Sequence, residues 1–129
     1  MELKYVDPYV MTAEQFDKLC EGGVPGGWQP SDIAQKLLSK AWLAFETGGG
    51  MFAVEKKGTR LYVTALAIDR FGWRLRAFRD IMDRLATDLM CDTVETMCFD
   101  ERLAHAMMRI RAKPEAWKMV WQVEGTSNG

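Results

Sequence analysis

The sequence predicts an α/β (α+β) protein built on a single mixed β-sheet with helices on both faces. Three observations carry that prediction. Apolar residues recur with period two in some segments and at helical spacing in others, in the order β-α-α-β-β-β-α-β-α-β. The three middle strands are separated by short glycine-containing turns, which suit antiparallel pairing, whereas the later strands alternate with helices, which suits crossovers. Finally, Leu61, Val63, Ala65 and Ala67 interleave with Tyr62, Thr64, Leu66 and Ile68, the two-sided apolar pattern of a central, covered strand. At 129 residues the chain reads as one domain, 1–129, with a polar tail at 124–129.

Each element has a local cause. Leu3 to Val6 is a short strand that stops before Pro8. Thr12-Ala13-Glu14-Gln15 is a capping box, with Thr12 as cap and Gln15 reaching back, and Phe16, Leu19 and Cys20 share the face that follows. Gly22-Gly23-Val24-Pro25-Gly26-Gly27 ends that helix, and no Gly-Lys-Ser/Thr follows to make it a phosphate loop. Pro30-Ser31-Asp32 opens a second helix with Ser31 as the expected cap and Ile33, Ala34, Leu37 and Leu38 as its stripe. Strands follow at Ala41–Thr47, Met51–Lys57 and Arg60–Asp69, joined at Gly48-Gly49-Gly50 and Lys57-Gly58-Thr59. The longest helix runs from Trp73 to Met90, with Leu75, Phe78, Met82, Leu85 and Leu89 at helical spacing. A strand at Thr93–Phe99, a helix at Asp100–Ala112 ended by Pro114, and a last strand at Ala116–Val123 complete the chain.

Composition excludes several functions. A net charge of −1 speaks against a nucleic-acid binder held by bulk electrostatics. No apolar stretch approaches the ~20 residues that cross a bilayer, so no membrane association is expected. Met1-Glu2-Leu3-Lys4-Tyr5 offers neither a basic start nor an apolar core, so no secretory signal is expected either. Cys20, Cys91 and Cys98 lack C-x-x-C spacing and read as reduced, buried thiols of a cytoplasmic protein. The lone histidine, His105, rules out a two-histidine zinc site, and no metal site is expected. None of Ser31, Ser39 and Ser127 lies in a G-x-S-x-G setting for a hydrolytic triad around that histidine.

The two long helices differ in charge order. The later one has Asp100 and Glu101 at its start and Arg109, Arg111 and Lys113 at its end, in accord with the helix dipole. The earlier one is reversed: Arg70, Arg74, Arg76 and Arg79 crowd its start, with Asp88 and Asp92 at its end. Either an anion is held there or the arginines form a solvated face, paired as Arg76–Asp80 and Arg79–Asp83.

The segment Ala77-Phe78-Arg79-Asp80-Ile81-Met82-Asp83-Arg84, the strand Thr93–Phe99 and the helix Arg102–Arg111 carry a family resemblance. From about Leu3 to Val123 the order of elements resembles the GCN5-related N-acetyltransferase (GNAT) fold. More narrowly, it resembles the small GNAT-like proteins of short-tailed phages, some of them internal virion proteins. The resemblance implies acetyl-CoA as cofactor, its pyrophosphate held by main-chain amides after the central strand. The implied cofactor-binding residues are Ile68, Arg70, Gly72, Trp73, Arg74, Leu75 and Arg76. Against the family's Arg/Gln-x-x-Gly-x-Gly/Ala loop, Gly72 matches the first glycine, while Asp69 and Arg74 occupy the other two positions. The family's general-acid tyrosine has no counterpart in Ala104-His105-Ala106-Met107-Met108-Arg109, and Tyr62 to Ile68 carries no carboxylate. Glu95 and His105 are the substitutes in reach of a catalytic role.

The expectation is therefore a phage-type GNAT-fold protein, degenerate as a catalyst. It would act by binding a phage or host protein, in the host cytoplasm or in a virion. The alternatives are an active N-acetyltransferase with an atypical pyrophosphate loop and, more weakly, a binder of nucleic-acid phosphates. A second copy capping the strand edges at Ala41–Thr47 and Ala116–Val123 would make a homo-oligomer. Trp117, Met119 and Trp121 read as core, and one of Trp28 and Trp42 as exposed at an interface.

Overall fold

The computed structural model describes residues 3–23, 27–48, 50–68, 75–97, 113–115 and 118–123. Its elements are β1 (Lys4–Val6), α1 (Ala13–Gly23), α2 (Pro30–Leu38), β2 (Leu43–Thr47), β3 (Gly50–Lys57), β4 (Arg60–Ile68), α3 (Leu75–Asp88), β5 (Thr93–Met97), β6 (Lys113–Glu115) and β7 (Lys118–Gln122). All the strands belong to one seven-stranded sheet ordered β1-β2-β3-β4-β5-β7-β6. β1–β2, β2–β3, β5–β7 and β6–β7 pair antiparallel. β4 and β5 are neighbours joined through α3, the crossover that parallel strands require, so the sheet is mixed. The two-sided apolar strand does stand at the centre of the order. Contacts group the chain into two compact units, Met1–Glu55 with Val63–Trp73, and Lys56–Tyr62 with Arg74–Gly129.

In the first unit, α1 begins as its sequence dictates. The Thr12 hydroxyl accepts the Gln15 N–H at 3.1 Å while Gln15 Oε1 accepts the Thr12 N–H at 2.9 Å. α2 starts two residues earlier than expected: Gln29, not Ser31, is its cap, and Pro30 takes the first helical position, where its fixed φ fits and its missing N–H costs nothing. Asp32 completes the turn by accepting the Gln29 N–H at 3.3 Å. The core joins Leu19 of α1 and Ile33 and Leu37 of α2 to Trp42, just before β2, and to Ala44, Met51, Ala53 and Ala65 of the strands, all nearly inaccessible. Each fully buried Leu or Ile contributes about 1.5–3 kcal/mol relative to exposure. Both tryptophans belong to this packing. Trp42 is buried and donates its indole N–H to Glu55 Oε1 at 3.1 Å, and Trp28 meets it edge-on at 5.0 Å. Leu38, assigned to the apolar stripe, is instead about half exposed at 48%.

The second unit contains α3 and the later strands. Phe78, Met82 and Leu85 are buried from one face of α3, as their spacing predicts. The helix ends in a Schellman arrangement: Cys91 N–H bonds to Ala86 O at 2.7 Å, Met90 N–H bonds to Thr87 O at 3.0 Å, and Met90 takes φ 61°. The strand expected at Ala116–Val123 is present as β7, Lys118–Gln122, and a short strand that the sequence did not suggest, β6, precedes and pairs with it in register Glu115↔Lys118. Pro114, expected only to stop a helix, lies in β6, the outermost strand, the part of a sheet to which proline is ordinarily confined. The helix expected at Asp100–Ala112 lies outside the described residues, as do Cys98 and Trp117. Among the described residues, no helix is long and apolar enough to cross a membrane.

Candidate functional site

The expected cofactor segment begins where β4 ends, at Ile68, and closes where α3 begins, at Leu75 and Arg76. Arg70, Gly72, Trp73 and Arg74 lie outside the described residues. α3 is 14 residues long and carries no acidic residue in its first turn and no basic one in its last, so no side-chain carboxylate there occupies its positive pole.

Arg79, a turn further along α3, is one of the four arginines expected either beside an anion or on a solvated face. It is buried instead, at 8% exposure. Its Nε lies 3.7 Å from Asp83 Oδ2 and makes no hydrogen bond, and Asp83 Oδ1 accepts the Trp121 indole N–H at 2.9 Å. Phe78 packs edge-on against the same indole at 6.3 Å. The i,i+4 spacing correctly paired Arg79 with Asp83 but could not show that a β7 tryptophan covers the pair. The Trp121 N–H was the available signal, since a buried indole requires an acceptor. The charge of Arg79 is thus matched internally by Asp83.

Glu95 is buried on β5 at 4% exposure, and its Oε1 accepts from Arg60 Nη1 at 3.0 Å. Arg60 is the first residue of β4. Arg60 was not singled out from sequence, because nothing local distinguishes it from any other basic residue beside a turn. His105 lies outside the described residues. Cys20 is half-buried and Cys91 buried, and burial pushes both thiols above their ordinary pKa, so neither is a ready thiolate nucleophile. Among the described residues no group of three His, Cys, Asp or Glu side chains could hold a metal ion.

No protein-family model and no curated protein sequence matches the chain. Solved structures do match over nearly its whole length. An aminoglycoside 6'-acetyltransferase type Ii superposes with a TM-score of 0.69 at 12% identity, covering 98% of this chain and 99% of that one. Tetrahymena GCN5 gives 0.67 at 8% identity, with 100% of both chains covered. A Bacillus subtilis acetyltransferase in complex with CoA gives 0.65 at 12% identity, covering 94% and 97%. The fold is that of the GNAT acetyltransferases.

Proposed function

We propose that this chain is a GNAT-fold protein of the small phage type, one that keeps the acyltransferase scaffold but not its catalytic groups. It works by binding a protein partner, of phage or host, in the host cytoplasm or in a virion. The observation that carries the reading is the ion pair Glu95–Arg60. It gives the buried carboxylate of β5 a structural partner in the first residue of β4. The missing tyrosine and the mismatched glycine loop point the same way.

The start of α3 favours a second reading, an N-acyltransferase that still takes acetyl-CoA. Main-chain amides from Gly72 to Arg76 would hold the pyrophosphate, and Arg70, Arg74 and Arg76 would supply positive field. When bound, the coenzyme supplies the activated acyl group. The chain's own task is to hold and orient it, and no described side chain stands ready to take the proton from an acceptor amine.

Thermal denaturation with and without acetyl-CoA separates the two readings. A ligand at a hundredfold excess over its Kd stabilises by about 2.7 kcal/mol, a shift readily seen in a chain of this size. The binding-protein reading expects little or no shift at millimolar coenzyme, no acetylation of an amine panel, and co-purification with phage particles or one defined host protein. Turnover with any amine overturns it.

A further inference from the structure

A cleft within the first unit owes nothing to the cofactor segment. It has a volume of about 740 Å³, within the size range of small-molecule sites, and opens between the first turns of α1 and the β1–β2 edge of the sheet. Its walls carry charges of both signs. Lys4 and Glu46 stand directly opposite each other in the β1–β2 register, and Glu14 and Lys18 come from α1. Opposite charges at such spacing would ordinarily close on each other, yet Lys4, Glu14 and Glu46 form no ion pair among the described residues. Glu46 is held in place because its Oε2 accepts the Gln15 side-chain N–H at 3.0 Å, which leaves Oε1 available. Gln15 is in turn fixed by the capping box at the helix start. The cleft thus presents a positioned carboxylate and a separate, unneutralised ammonium group within one opening.

We infer that this cleft binds a zwitterionic ligand of the short-peptide class. The free ammonium end would pair with Glu46 Oε1, with Glu14 adding negative field. The carboxylate end would pair with Lys4, and the Thr12 and Gln15 polar groups would serve the amides between. A simple anion would meet the Glu14 and Glu46 carboxylates and a simple cation the Lys4 ammonium group; a ligand with both charges can place each end beside its opposite. This inference is independent of coenzyme binding, and its test contains no coenzyme.

The test is an amide-chemical-shift titration of the full chain with triglycine and, separately, with N-acetyl-triglycine amide, in which both end charges are removed. Triglycine is expected to saturate at millimolar concentration, with the shifts centred on Gln15, Glu46, Gly48 and Met51. The blocked peptide should bind at least about tenfold more weakly, as should triglycine to Lys4→Gln or Glu46→Gln, a tenfold change being 1.4 kcal/mol. Lys4 is exposed, so Lys4→Gln should leave the melting temperature unchanged and report on binding alone. Equal binding of the blocked peptide, shifts centred elsewhere, or no saturation at millimolar peptide overturns the inference.

Discussion

Gly22 owes its identity to the close approach of two backbones. A Cβ at that position would lie 2.7 Å from the main-chain N and C of Leu66, on β4, with no flexible side chain to give way. Gly22→Ala is therefore expected to lower stability by about 1–3 kcal/mol, read as a lower urea midpoint at unchanged slope. Met90 is the opposite case. It occupies the left-handed position that ends α3, at φ 61°, and its side chain is 81% exposed. Glycine adopts that conformation without the Cβ penalty and loses only a solvent-facing side chain, so Met90→Gly should raise stability by about 0.5–1 kcal/mol in the same measurement. The run from Gly22 to Gly27 announced a helix end, but nothing in the sequence distinguished the glycine pressed against β4 from the others.

At the next level up, α3 is attached to β7 by a buried polar contact as well as by apolar packing. Removing one partner of a buried ion pair typically costs about 3–5 kcal/mol, because the other charge is left uncompensated. Asp83→Leu is expected to cost in that range, since it strands Arg79 and deprives the Trp121 N–H of its acceptor. Adding Arg79→Met should recover a large part of the loss, and a double-mutant cycle by denaturant unfolding measures the coupling. Equal and additive losses would instead mean that Arg79 and Asp83 act separately. The helical stripe of α3 was legible from Phe78, Met82 and Leu85, whose spacing alone selects the inner face. Arg79 falls on that face too, and a rule that sends charges to solvent misplaced it.

For the molecule as a whole, the remaining question is whether the scaffold still holds an anion. The arginines at the start of α3 separate the alternatives. If they serve coenzyme phosphates or another polyanion, Arg74→Glu with Arg76→Glu should weaken retention on heparin and abolish any thermal shift with coenzyme A. If they are only solvated charges, both measurements should match the parent chain. The binding-protein reading expects the coenzyme shift to be small from the outset, while heparin retention reports the field of the arginines alone.

Periodicity, capping and turn chemistry were enough to set the order of elements from β1 to β5 and to pick out β4 as the central strand, because these are local properties of a few consecutive residues; the short strand β6 escaped them. The same residues also carried the GNAT resemblance that the solved structures support as a fold. Long-range proximity lay beyond that reach. The pairing of Glu95 with Arg60, the burial of Arg79 and Asp83 beneath Trp121, and the juxtaposition of Lys4 and Glu46 with Gln15 each join residues from separate elements. Burial and electrostatic pairing depend on what packs against a side chain, and only the folded arrangement brings those neighbours together.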